Sequence, residues 1–97
     1  MTLENQFRML VGAYYGVMEM EEHDLRIFIL KDIEDYIKDF IELNPIPNFN
    51  YREEAELVNK NLAVKRKLQD TLRVLPLVGA PLEFVLLVQK TLRKTQE

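Results

Sequence analysis

Fifteen residues, VLPLVGAPLEFVLLV from Val74 to Val88, carry a single charge, Glu83, and two prolines. A chain of 97 residues has few places to put them. They can form core, face another chain, or touch a membrane. A bilayer-spanning helix needs about 20 consecutive apolar residues. This run is shorter, and Pro76, Gly79, Pro81 and Glu83 interrupt it. No transmembrane segment is expected. A helix lying on a membrane surface wants a strongly cationic polar face. Lys90, Arg93 and Lys94 supply some charge, but Glu83 and the narrowness of the polar strip count against it.

The helix that begins near Pro81 sharpens the choice. At 100° per residue, Leu82, Phe84, Val85, Leu86, Leu87, Val88 and Leu92 cover more than half its circumference. Glu83, Lys90 and Lys94 are confined to one strip. A helix on the surface of a monomeric bundle keeps a narrower apolar face, because one side meets water. This one is either central to an irregular packing or covered by a second subunit. We take the second reading, a homodimer, with C2 symmetry the commonest arrangement. Phe84, Leu87 and Val88 are the expected partner-binding residues on this helix.

The rest of the chain reads as helix. No internal repeat is evident, and no segment alternates in the manner of a strand. The clearest signal is the second helix, where Ile29, Ile33, Tyr36, Ile37, Phe40, Ile41 and Leu43 fill one arc. Lys31, Asp32, Glu34, Asp35, Lys38, Asp39 and Glu42 fill the other. Lys31/Asp35, Glu34/Lys38 and Lys38/Glu42 are pairs of opposite sign four residues apart, a spacing that brings side chains together on a helix. Its acids are most simply a solvated face.

Punctuation sets the element bounds. Thr2 can cap a first helix over about 3–21, and His23 and Asp24 open a second over about 24–43. NPIPNFN then breaks the chain, since each proline restricts the residue before it. Asn50 with Glu53 three residues on has the form of a capping box for a third helix over about 51–74. Pro81 fits the first turn of a fourth over about 81–95, with Glu83 near its positive end and Arg93 and Lys94 near its negative end. Short connections favour antiparallel neighbours. The expected architecture is therefore all-α, a small up-down four-helix bundle forming one domain over 1–97. Area scaling predicts that folding hides roughly 65% of the surface of a chain this size, enough for one core.

The first helix carries a second unusual feature. Leu3, Phe7, Leu10, Val11, Tyr14, Val17 and Met18 form its apolar stripe, while Gly12 and Gly16 in GAYYG project from the other side. A glycine inside a helix costs about 1 kcal/mol relative to alanine. Small residues four apart let another backbone approach closely. That backbone can belong to a neighbour in the same chain or to a partner, and Gly12 and Gly16 join the candidate partner-binding set.

Composition removes several classes of chemistry. There is no cysteine, hence no disulfide and no thiolate nucleophile, which suits a reducing compartment and a cytoplasmic location. MTLENQFRM lacks the basic-then-apolar opening of a secretory signal. His23 in EMEEHD is the only histidine. A helical di-iron site wants two Glu-x-x-His motifs and further glutamates, so no metal site and no cofactor is expected. There is no serine, and Thr71, Thr91 and Thr95 lie in no nucleophile motif. LVGAPLEF lacks the lysine of a phosphate loop. No catalytic residue is assigned, and an enzyme is not expected.

Charge leaves one competing reading. The formal net charge is −3, yet residues 1–50 hold ten acids and four bases while 51–97 hold six and nine. The simpler account is attraction between halves; the sharper one gives each half its own partner. In the third helix Lys60, Lys65, Arg66, Lys67 and Arg73 are the candidate nucleic-acid contacts. Lys60 and Lys67 fall on its expected wet side, with Lys65, Arg66 and Arg73 near the apolar arc, so they make no continuous phosphate-tracking stripe. Asn61, Lys65 and Gln69 instead form a polar line on the expected core face, with Glu21 a conceivable partner for Lys65. The function expected is a non-catalytic interaction or assembly module, an adaptor or regulator contacting itself and another protein. The alternative is a nucleic-acid-associated protein using the basic edge.

Overall fold

The computed structural model describes residues 1–96. Five α-helices run in chain order: α1 Leu3–Met18, α2 Arg26–Leu43, α3 Tyr51–Asn61, α4 Val64–Val74 and α5 Leu82–Thr95. A 3-10 turn, Leu75–Val78, joins α4 to α5. No strand occurs among the described residues. The all-α expectation holds, but the expected third helix over 51–74 is two helices rather than one.

Local chemistry accounts for most boundaries. The Thr2 hydroxyl accepts the Asn5 N–H at 3.1 Å and starts α1. α1 stops at Met18, short of the expected Glu21, because Glu19, Glu21 and Glu22 would crowd its negative end. A cation caps that end instead: the Arg26 guanidinium donates to the carbonyls of Val17 at 3.2 Å and Met18 at 2.9 Å. α2 ends on Asn44, whose backbone and side-chain N–H groups both donate to Phe40 O, at 2.9 and 3.2 Å. Asn50 Oδ1 then accepts the Glu53 N–H at 3.1 Å, half of the expected capping box. Gly79 sits in the left-handed region at φ 67°, closing the 3-10 turn before Pro81 directs the chain into α5.

The break between α3 and α4 has no proline or glycine. Leu62 (φ −85°, ψ 127°) and Ala63 (φ −64°, ψ 151°) are both extended. Two extended residues rotate everything after them about the helix axis. A wheel drawn through 51–74 therefore misassigns faces. Lys67, expected on the wet side, is 4% exposed, whereas Lys65 and Asn61 of the expected core line are exposed.

α1 is the central element. It packs against α4, α2 and α3, and its buried residues run around the helix rather than along one stripe: Phe7, Leu10, Val11, Gly12, Ala13, Gly16 and Val17. Leu3 and Met18 of the expected stripe are exposed. Ile29, Ile33 and Phe40 close the core from α2, and Leu68, Val74, Leu75, Phe84 and Val88 from the C-terminal half. Phe7 meets Phe49 and Tyr51 edge-on at 5.5 and 5.2 Å, which pins the loop between α2 and α3 onto α1. The Tyr51 hydroxyl accepts the Ile46 N–H at 2.9 Å in that loop.

Candidate interaction surface

The segment Val74–Val88 divides between core and surface. Val74, Leu75, Phe84 and Val88 are fully buried, while Val85 and Leu87 are half-buried. Leu77, Leu82 and Leu86 remain 51%, 70% and 51% exposed. Of the expected partner-binding residues on this helix, Phe84 and Val88 are thus occupied within the chain, and Leu87 partly so. The side of α5 that faces water is Leu82 and Leu86, followed toward its C-terminal end by Lys90, Arg93 and Lys94. A second exposed apolar pair, Ile27 at 70% and Phe28 at 65%, opens α2. Between them, His23, just before α2, meets the buried Phe84 ring edge-on at 5.8 Å on the inner side of α5.

Gly12 and Gly16 face α4 of the same chain. A Cβ on Gly16 would lie 2.5 Å from the Lys67 carbonyl oxygen and 2.9 Å from its carbon. One on Gly12 would lie 2.5 Å from Asp70 Oδ2 and 3.2 Å from Leu62 Cδ2. Of the two origins open for the approaching backbone, the structure has the intrachain one. α4 brings Lys67, Asp70 and Thr71 to this glycine face, all of them buried. The Thr71 hydroxyl oxygen is within donating reach of two carbonyls, Ala13 at 3.1 Å and Lys67 at 2.8 Å. Sequence reasoning assigned these three polar residues no role in packing, since their apposition to the glycines joins positions far apart in the chain.

Lys67 serves as a staple. Its Nζ donates to Asn59 O at 3.0 Å and Asn59 Oδ1 at 3.2 Å, and sits 3.7 Å from Glu19 Oε1. It thereby joins the last turn of α3, the body of α4 and the end of α1. The lysine that pairs with an acid beyond α1 is thus Lys67 with Glu19, not Lys65 with Glu21.

An open cavity of about 500 Å³ lies beside this packing, between α1, α3 and α4. Met9, Leu57, Val58 and Leu62 give it an apolar floor, with Arg8, Arg66 and Arg73 around it. Arg8 is held by Glu54 at 3.1 Å and Asn5 at 2.9 Å, and Arg66 Nε lies 3.7 Å from Asp70 Oδ1. Burial raises the Asp70 pKa above its ordinary 3.8, opposed by the nearby charges of Arg66 and Arg73. A carboxyl that binds its proton more tightly when folded favours the fold at low pH, and that contribution is lost as pH rises from about 3.8 through the raised value. Asp70→Asn is therefore expected to match or exceed the wild type in stability at neutral pH. It should also flatten the pH dependence across that window, which urea titrations at several pH values would show.

The candidate nucleic-acid residues are divided. Lys60 lies on α3, Lys65 and Arg66 at the start of α4, and Arg73 at its end, all exposed. Lys67 is enclosed and already bonded. Arg66 flanks Asp70, so its charge is partly met within the chain. His23 has a local role as well: its Nδ1 accepts the Leu25 N–H at 3.1 Å at the turn into α2. Among the described residues no three His, Asp or Glu side chains gather as a metal site requires, and no helix is long and apolar enough to cross a membrane. Set against known proteins, the chain matches no family model, no curated protein and no solved structure.

Proposed function

We propose that the protein is a non-catalytic helical interaction module, an adaptor, regulator or assembly subunit of the cytoplasm, that associates with itself through the outer face of α5. The observation that carries this reading is the exposure of Leu77, Leu82 and Leu86 in a segment with a single charge. Exposed apolar patches rimmed by polar groups mark contact surfaces more often than solvent faces. Within a dimer, α5 gains the cover that one chain does not give it, and the helices complete a bundle across two copies. Pairing of symmetric protomers is the commonest route.

Leu86→Glu is the test. Its side chain is half in water, so the fold should survive, while a leucine buried at a contact is worth about 1.5–3 kcal/mol. The wild type is expected to self-associate over roughly a hundredfold range of concentration in sedimentation equilibrium, because dimer stability depends on protomer concentration. Leu86→Glu should weaken that association by at least about tenfold. A wild type that stays monomeric at the highest concentration would remove the proposal.

A further inference from the structure

The outer faces of α2 and α5 share one spacing. On α2, Phe28, Asp32, Asp35, Asp39 and Glu42 follow each other at intervals of four, three, four and three, within about 80° of arc at 100° per residue. On α5, Leu82, Leu86, Gln89 and Arg93 repeat the four, three, four pattern, with Glu83, Lys90 and Lys94 flanking one side. All of these residues are exposed. Any helix face repeats at three and four; what the two stripes share is the order of residue types along them. The α2 stripe opens on Phe28 and is acidic from there on, while the α5 stripe opens on Leu82 and Leu86 and becomes basic toward its C-terminal end.

Of the stripe charges, only Asp35 is met by an ion pair among the described residues of the chain. Lys31 holds Asp35 at 3.0 Å and Lys38 holds Glu34 at 3.2 Å, beside the outer α2 stripe. Among the described residues, no ion pair engages Asp32, Asp39, Glu42, Lys90, Arg93 or Lys94. We infer that α2 of one copy lies parallel along α5 of a second copy, Phe28 against Leu82 and Leu86, and Asp32, Asp39 and Glu42 toward Lys90, Arg93 and Lys94. Parallel alignment sets apolar on apolar and acid on base. The antiparallel one sets Phe28 beside Lys94 and carboxylates on Leu82 and Leu86, burying charge against hydrocarbon. Direction is thus fixed by the sequence of each stripe. The inference rests on the proposed self-association and names the surface that meets α5.

Paired charge reversals in the full chain test it, each variant checked by circular dichroism. One carries Asp32→Lys and Asp39→Lys; the other carries Lys90→Glu and Arg93→Glu. Each alone should weaken self-association by about tenfold or more, and high salt should weaken the wild type in the same direction. Mixing the two variants should restore a heterodimer to near wild-type strength. Two variants that associate like the wild type would overturn the α2–α5 pairing, while loss of association in Leu86→Glu would still stand for the α5 surface itself. Failure of the mixture to recover would also overturn it. So would wild-type binding to vesicles of anionic lipid that the α5 reversal abolishes and the α2 reversal leaves intact, with no self-association in solution. That outcome would assign the α5 face to a lipid surface.

Discussion

Gly16→Ala is expected to destabilise the protein by about 2–4 kcal/mol, even though alanine is the better helix former by about 1 kcal/mol. Part of the clash is with the Thr71 hydroxyl, but what makes it costly is backbone. The added methyl would stand 2.5 Å from the Lys67 carbonyl oxygen, in the wall of α4, which cannot turn aside as a flexible side chain can. α4 must move off α1, and the Thr71 hydroxyl then loses its hold on the Ala13 carbonyl at 3.1 Å. Overpacking costs about 1–3 kcal/mol or more and a lost buried hydrogen bond about another 1. For a chain this short, such a loss lowers the thermal midpoint by roughly 10–25 °C. Gly12→Ala is the internal control, because its methyl meets mainly the Asp70 carboxylate and a leucine methyl, ends of side chains that can yield. A Gly16→Ala protein as stable as the wild type would mean that α1 and α4 do not approach as described.

The same contact marks where the sequence stops being readable. Thr2 and Asn50 announce their helices because a cap acts over three residues, and both make the expected bond. The α2 stripe is equally local: Ile29, Ile33 and Phe40 are buried, and Lys31/Asp35 and Glu34/Lys38 pair as their spacing predicts. The α3–α4 break carries no such signal. NKNLAVKRK has neither glycine nor proline, and the two asparagines in it weaken a helix without stopping it. Once the phase is lost there, Lys67 reads as wet and Lys65 as inward, the reverse of what folds. The glycines were legible as a place of close approach, but not the identity of what approaches. Polar Lys67, Asp70 and Thr71 are a buried face only because Gly12 and Gly16 lie opposite, more than fifty residues earlier. As for the surface, the apolar excess of Val74–Val88 was visible, but which leucines stay outside is decided by the turn at Gly79.

Lys67 gives the other large effect, and its size divides packing from charge. Its ammonium donates to Asn59 O and Asn59 Oδ1 and lies 3.7 Å from Glu19 Oε1, a charge contact rather than a hydrogen bond. Glu19 is 41% exposed on its side chain, so it is not stranded in the interior when the lysine is removed. The ion pair is accordingly worth little, about 1 kcal/mol or less. The bonds to Asn59 matter more. They satisfy a carbonyl in the last turn of α3, where the helix leaves acceptors without partners, and bonds to a charged donor are worth about 1.5–3 kcal/mol. Lys67→Met keeps most of the volume and loses these bonds, at an expected cost of about 1–2 kcal/mol once the lysine's own desolvation is relieved. Lys67→Ala also empties the space between α3 and α4, and should cost about 2–4 kcal/mol. Urea unfolding with an unchanged m value would read both as stability differences. Equal losses in the two variants would mean that charge alone ties α3 to α4. A neutral Met variant with a damaged Ala variant would mean that the lysine stem is what fills the joint, and that α3 is held by packing rather than by its capped end.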